Sequence, residues 1–261
     1  MGAERPLAAF PAAHPVFPGH FPGAPCVPGA LLLDAVVHAL AADLRLPYER
    51  VVVSAVKFHR PVTPGETVLW RCVREAARFR FALLVTGALV ASGVCSRADD
   101  GGTNGPRRIP QPAHGGQVLA PEEARLPHTG AMRLLTDPCR YDRERILCPV
   151  GNHRDPEHPL RAHQRLGAAC AVEYAAQAMA AHASALHGQA TPVRAGALVS
   201  VRQLTFAVER LDALAKPVRV LAACRARDRA AAWYEFALVS GDEPRVWGES
   251  LVALDRGGQD A

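Results

Sequence analysis

The segment Ala30–Leu44, ALLLDAVVHALAADL, constrains the fold more than any other stretch of the chain. At helical spacing, Leu31, Leu32, Leu33, Ala35, Val36, Val37, Ala39 and Leu40 leave almost no polar face. A helix that is apolar all round is wrapped by other protein or spans a membrane. No apolar run here approaches the roughly 18 uncharged residues a span needs, so the helix is expected to be wrapped. Pro28-Gly29 marks its start, because proline and glycine suit the first turn and the cap region. Strand-like segments follow at Val51–Phe58, Thr67–Val73, Arg78–Leu84 and Ala88–Cys95, with turn signals such as Thr63-Pro64-Gly65 between them. One buried helix followed by antiparallel strands predicts a sheet curled around a helix.

The same order occurs twice. An alanine-rich apolar segment runs over Ala168–Leu186, and strand-like runs follow at Ala197–Val208, Pro217–Arg225, Ala232–Ser240 and Val246–Leu254. Between the two copies, residues 97–117 are rich in Gly, Pro, Asp and Asn and read as a linker. A flexible chain of that length spans on the order of 25 Å, enough for two small domains to lie side by side. The expected division is 1–96, a linker over 97–117, and 118–261. Two copies of helix-then-sheet imply a pseudo-twofold pair within one chain, since each sheet leaves an edge the other can cover. Whether two such chains associate further is open at this level.

The 261 residues carry a net charge of +5 and a sequence pI of about 9.0. The arginines are dispersed and no Lys/Arg run exceeds two residues, which argues against a nucleic-acid partner. The seven cysteines form no CxxC pair, so a disulfide framework is not expected. The N-terminal stretch, with Glu4, Arg5 and Pro6, lacks an apolar core of signal-peptide length. A cytoplasmic protein without a membrane span is the expectation. His153, His158 and His163 recur every five residues, not at the i, i+4 spacing of a helix, and no acid or cysteine pattern completes a metal site. No metal and no cofactor are expected.

His20–Asp34 reads HFPGAPCVPGALLLD, with an acid fourteen positions after the histidine. This resembles the signature of hot-dog-fold 3-hydroxyacyl-[acyl carrier protein] dehydratases, and KFHRPVTPGET at Lys57–Thr67 resembles the strand and turn that follow it. In the second half, LPHTGAMRLL at Leu126–Leu135 resembles the lead-in of hot-dog dehydratases. VEYAAQAMAAHA at Val172–Ala183 resembles the central helix of the companion dehydratase-like protein of aryl-polyene pigment clusters. The chain thus resembles a fusion of two proteins that occur as separate partners. The resemblance implies an α+β fold, a double hot-dog: two antiparallel sheets, each wrapped around a central helix, packed as a pseudo-dimer. It also implies an acidic acyl carrier protein as partner, which the basic balance of this chain would steer.

Dehydrating a 3-hydroxyacyl thioester needs a base for the proton alpha to the carbonyl, an acid for the departing hydroxyl, and a donor for the charge that builds on the carbonyl oxygen. A histidine titrates near neutrality and suits the first task; the resemblance assigns it to His20. A carboxyl in an apolar tunnel is expected to have its pKa raised and so to donate a proton. The candidates are Asp34 and Glu173, each an acid inside an apolar helix and costly to bury unpaired. A backbone N–H at a helix start can hold the oxyanion; the resemblance assigns Gly29. Gln177, one turn beyond Glu173, is expected to support the carboxyl or to bond a neighbouring helix, and Phe21 and Pro28 are expected to line the substrate site.

Fourteen positions before Glu173 stands Pro159, not histidine. In dimeric relatives the histidine of one subunit meets the acid of the other, so the resemblance implies one working site, with His20 facing Glu173. A reciprocal site would pair Asp34 with the region around Pro159. In a rival arrangement Asp34 serves His20 directly. His128 is read as a structural or tunnel-lining residue, and Cys26 as a lining residue with no mark of a nucleophile. Other functions remain for such a chain: a hot-dog thioesterase, which needs no HFPG histidine, or a non-catalytic scaffold for a carrier protein.

Overall fold

The computed structural model describes residues 3–98, 105, 108–113, 116–187, 198–228 and 230–253. The expected strand ends Ala197 and Leu254, and residues 99–104, 106, 107, 114 and 115 of the linker, lie outside them.

The first half contains β1 (Arg5–Ala9), α1 (Gly29–Leu44), β2 (Val51–Phe58), β3 (Thr67–Glu75), β4 (Arg78–Val85) and β5 (Ala88–Arg97). The second contains β6 (Gln117–Leu119), β7 (Cys139–Tyr141), β8 (Arg145–Val150), α2 (Ala171–His187), β9 (Leu198–Phe206), β10 (Val218–Arg227), β11 (Ala231–Ser240) and β12 (Glu243–Ala253). Each half wraps its sheet around its helix, which is the expected hot-dog arrangement. All strands join one antiparallel sheet in the order β1-β3-β4-β5-β2-β9-β12-β11-β10-β8-β7-β6.

The halves meet where β2 pairs with β9, in the register Val53↔Leu204, Ala55↔Arg202, Val56↔Val201 and Lys57↔Ser200. An open edge in either half would be a row of unpaired N–H and C=O groups. The β2–β9 pairing removes one such edge from each half and makes the pseudo-dimer a single sheet.

α1 behaves as its composition requires. Ala30, Leu31, Leu32, Leu33, Asp34, Val36, Val37, Leu40 and Ala41 are all buried, and each fully buried Leu or Val contributes about 1.5–3 kcal/mol of hydrophobic stabilisation. The helix ends at Arg45, which adopts a left-handed conformation (φ 52°) and donates its N–H to the carbonyls of Ala41 and Ala42. This closing turn satisfies two of the carbonyls that a helix end leaves orphaned. α2 is preceded by a 3-10 turn over Ala168–Cys170, and its alanines let it sit close beneath the second sheet.

Parts of the linker are anchored. Ile109 is buried against Leu147, Leu221, Ala223, Ala237 and Val239 on the outer face of the second sheet. The N–H of Ala113 donates to the Asp142 carboxylate at 3.0 Å. A fully flexible connection is therefore corrected at these residues, because Ile109 buries apolar surface that a free chain would leave in water. Among the described residues no helix is long and apolar enough to cross a membrane.

Candidate active site

The loop before α1 is shaped by its own backbone. The N–H of His20 donates to the Val16 carbonyl (3.0 Å), and that of Cys26 donates to the His20 carbonyl (2.8 Å). Val27 donates across to Val62 (2.8 Å), tying the loop to the segment after β2. Gly19 then touches the second half: Thr129 donates its N–H to the Gly19 carbonyl at 3.1 Å. A Cβ at Gly19 would lie 2.1 Å from the Thr129 carbonyl oxygen, so a side chain there would push the halves apart. The residues next to this contact, His20 and His128, face each other with ring centroids 5.2 Å apart.

His20, His128 and Glu173 are all buried and line one cavity of about 330 Å³. Its walls include Phe21, Val27, Gly29, Leu32 and Phe58 from the first half, with Pro127, Ala176, Ala180 and Leu198 from the second. His59 and Arg60 also contribute. The Nδ1 of His20 is 2.9 Å from the Cys26 carbonyl oxygen. A carbonyl only accepts, so Nδ1 carries the proton and Nε2 is left with its lone pair. Burial lowers the pKa of His20, and this outweighs the opposing pull of the Glu173 charge. A neutral imidazole with a fixed tautomer is the form that can take a proton. Phe21 stacks on His20 at 4.0 Å and meets His128 edge-on at 4.9 Å.

Glu173 lies on the first turn of α2. His128 Nε2 is 3.0 Å from its Oε1, and Gln177 Nε2 donates to the same oxygen at 3.1 Å. Gln177 also donates to the Met132 carbonyl (2.8 Å) and accepts from the Leu134 N–H (2.9 Å). Every polar atom of this amide is thus used to fasten the segment that carries His128 onto α2, and its partner is a loop backbone, not a neighbouring helix. Burial pushes the Glu173 carboxyl up, but the hydrogen bond and charge of His128, the charge of His20 and the Gln177 bond together hold it down, at about 2. The expectation of a raised carboxyl pKa is corrected: an apolar tunnel favours the neutral acid, but donors aimed at the carboxylate favour the ionised form more strongly. A ring nitrogen of His20, one of His128 and a carboxylate oxygen of Glu173 all lie within 4.8 Å of one another, the one such cluster of His, Cys, Asp or Glu side chains among the described residues.

Gly29 opens α1 and lines the cavity. Its N–H belongs to the first turn, whose amides have no acceptor within the helix. A Cβ at Gly29 would come within 2.8 Å of the Phe58 ring, so glycine lets that ring close the wall beside the helix start. Pro28 precedes the helix and takes the Leu31 N–H at 3.0 Å, and it is not among the lining residues. Cys26 lines the cavity with Sγ 3.6 Å from His20 Nδ1. Burial and the Glu173 charge push its thiol up to about 11, so it stays protonated.

Asp34 is elsewhere. It forms a buried ion pair with Arg165 of the second half (3.1 Å) and accepts a hydrogen bond from the Tyr48 hydroxyl (2.8 Å). The Tyr48 oxygen in turn accepts the Ala169 N–H at 3.2 Å. The structure thus brings His20 together with Glu173 and Gln177 and leaves Asp34 out. The counterpart of His20 across from Asp34 is corrected from the Pro159 region to Arg165, because the chain between Arg161 and Gly167 turns back through Ala162–Arg165 and presents the guanidinium. A Cβ at Gly167 would lie 1.9 Å from Asp34 Oδ1, which shows how closely the backbone approaches this acid. A separate cavity of about 530 Å³ lies on that side, lined by Asp34, His38, Trp70, His163 and Arg165 among others.

Two further histidines are engaged away from this cavity. His158 donates from Nε2 to the Tyr174 hydroxyl (2.9 Å), and burial lowers its pKa to about 4. His153 bonds the Leu214 carbonyl at 3.2 Å. His128 is the site residue whose position the sequence understated; the LPHTG segment was its one signal.

The fold is a double hot-dog in which an imidazole from one half faces a carboxylate from the other across a shared cavity. Residues 120–251, half of the chain, match the ApeP-like family, ApeP dehydratase, and residues 7–94 match the ApeI-like family, ApeI dehydratase. The chain belongs to the ApeP-like dehydratase family, and the segment ahead of that match is similar to the ApeI-like family. Among curated relatives, the 3-hydroxyacyl-[acyl-carrier-protein] dehydratase FabZ of Sodalis glossinidius is 35% identical over 99 residues, covering 32% of this chain and 66% of the relative. That of a Wolbachia strain from Drosophila simulans is 38% identical over 63 residues, covering 21% and 43%. The chain therefore spans less than two thirds of the length of these relatives. Among solved structures, the dehydratase domain of PpsC from Mycobacterium tuberculosis in complex with C12:1-CoA aligns at a TM-score of 0.69 and 14% identity, covering 97% of this chain and 92% of that domain. The dehydratase domain of RzxB from Pseudomonas fluorescens aligns at 0.71 and 14%, covering 95% and 91%. At that identity the likeness establishes the fold.

Proposed function

We propose that this protein removes water from 3-hydroxyacyl thioesters held on an acyl carrier protein, giving 2-enoyl thioesters, in aryl-polyene or a related fatty-acid-like assembly. The observation that carries the reading is the meeting of His20 and Glu173 from opposite halves across one mostly apolar cavity. His20 Nε2 takes the proton alpha to the carbonyl, the electrons of that C–H bond form the double bond, and the C–O bond at the 3-position breaks. The first-turn N–H at Gly29 faces the developing charge on the thioester oxygen. Glu173 serves the departing hydroxyl, with Gln177 holding the carboxyl, and the apolar wall with Phe21 holds the chain. In this scheme Asp34 is a fastening between the halves and Pro28 sets the helix start. The chain supplies base, acid and oxyanion donor itself, so the reaction calls for no cofactor.

The ApeP-like and ApeI-like matches in tandem support a fused pair divided as 1–96, 97–117 and 118–261. The FabZ relatives support a carrier-protein thioester as the substrate class, and the positive net charge supports steering of an acidic carrier. All seven cysteines are free, which suits a reducing cytoplasm. The test is incubation with a 3-hydroxyacyl carrier protein followed by mass spectrometry. The expected product is lighter by one water with the thioester intact; release of free acid would instead identify a thioesterase.

A further inference from the structure

The proposed reaction leaves one account open. The hydroxyl needs a proton, yet the Glu173 carboxylate sits among donors that hold it ionised. Besides Gln177, the group bonded to that carboxylate is His128, which is buried, lines the same cavity and has no assigned task. Its Nε2 is 3.0 Å from Glu173 Oε1. Its Nδ1 is buried and has no hydrogen-bond partner among the described residues. An imidazole placed only to hold the lead-in segment would be expected to use that second nitrogen, since buried polar atoms are usually satisfied. Here the anchoring is done by Gln177 and by the Thr129–Gly19 contact.

We propose that His128 stores the proton that the departing hydroxyl receives, and passes it through the Glu173 carboxyl. The inference rests on the dehydratase reading above. As the C–O bond breaks, the electron pair leaves with the hydroxyl oxygen. In this scheme His128 starts doubly protonated; its Nε2 proton moves onto the Glu173 carboxylate, leaving a neutral ring with its remaining proton on Nδ1, and the carboxyl gives a proton to that oxygen, releasing water. His20 has meanwhile gained the alpha proton. One imidazole has gained a proton and another has lost one, and their rings are 5.2 Å apart. Once product leaves, transfer from His20 to the His128–Glu173 pair restores the starting state. No oxidant, metal or further reactant is needed. His128 meets His20 and Phe21 on the loop before α1 and Glu173 on α2, and the same cavity is also lined by Cys26, His59 and Arg60. Cys26 stays a neutral thiol there.

His128→Gln separates proton storage from simple positioning, because glutamine can donate a hydrogen bond to Glu173 but cannot carry the proton. Turnover, KM and pH profiles would be measured for wild type, His128→Gln and His128→Ala, each checked for a cooperative melt. The expected result is a kcat loss of about 100-fold in both variants, the lower range for a general acid–base group. KM should stay within a few-fold, and the alkaline arm of the kcat profile should move to lower pH in His128→Gln. Near-wild-type kcat in His128→Gln, or an unmoved alkaline arm, overturns the proposal and leaves His128 as a donor that positions the carboxylate. Should either variant fail to fold, nitrogen NMR of the wild-type histidines decides: a doubly protonated His128 ring across the active pH range supports storage, and a neutral ring throughout overturns it. A wild-type protein that removes no water from 3-hydroxyacyl thioesters sinks the dehydratase reading itself. An active wild type with an equally active His128→Gln sinks this inference alone.

Discussion

The two halves each place one acid on a buried central helix, and the surroundings of those acids differ. Glu173 meets two imidazoles and an amide beside an apolar cavity. Asp34 meets a guanidinium and a phenol, with backbone closing in at Gly167. An imidazole can gain or lose a proton near neutrality, whereas a guanidinium cannot. In the proposed scheme the same position in a repeated layout therefore moves protons in one copy, while in the other it is paired with a charge that does not titrate. A carboxyl on a buried helix does not by itself make a site; the titratability of what faces it does.

The sharpest way to break this comparison is to disable each acid and its partner. His20→Ala and Glu173→Gln should each lower the dehydration rate by about 100- to 10,000-fold, the usual contribution of a general acid–base group. Asp34→Asn should leave the turnover of folded enzyme close to wild type. Steady-state kinetics on the three variants checks this, and a dead Asp34→Asn beside an active Glu173→Gln would invert the assignment.

Next in size is stability. Removing one member of a buried ion pair strands the other charge and costs about 3–5 kcal/mol, while replacing both by apolar groups is often neutral. Asp34→Ala should thus unfold at much lower denaturant, and Asp34→Leu combined with Arg165→Met should recover most of the loss. Equal instability in the single and double variants would mean the pair does more than offset its own burial.

The smallest effect is confined to acid. The Glu173 carboxyl is held at about 2, below its ordinary 4.5, when folded. Its contribution to stability is therefore fully present above pH 4.5 and is lost as the pH falls through 2. Acid unfolding of Glu173→Gln should lack that component. Superimposable acid-unfolding curves for variant and wild type would remove the carboxylate's role in holding the fold.

Much of this was legible in residue order. The helix start at Pro28-Gly29, strand β2 over Val51–Phe58 and the doubled layout follow from apolar pattern and turn residues, whereas the convergence of His20 with Glu173 was implied by the resemblance to dimeric dehydratases. Strands β1, β6 and β7 were not legible: RPLAA, QVL and CRY are too short and too irregular to show alternation, and pairing with neighbours makes them strands. Arg165 lies 131 positions from Asp34, and nothing local marks the pair. The ionised state of Glu173 was misjudged for the same reason. An apolar helix argues for a neutral acid, and the donors that reverse this come from His128 and Gln177 once the chain has folded.

The β2–β9 pairing has a consequence for how the protein exists in dilute solution. Two separate subunits would assemble a mixed site by mass action, and could also form pairs with two imidazole halves or two carboxylate halves. Covalent connection keeps the complementary half at an effective concentration set by the tether, typically millimolar for short flexible connections. One chain then carries equal numbers of the two halves, and dilution does not separate them.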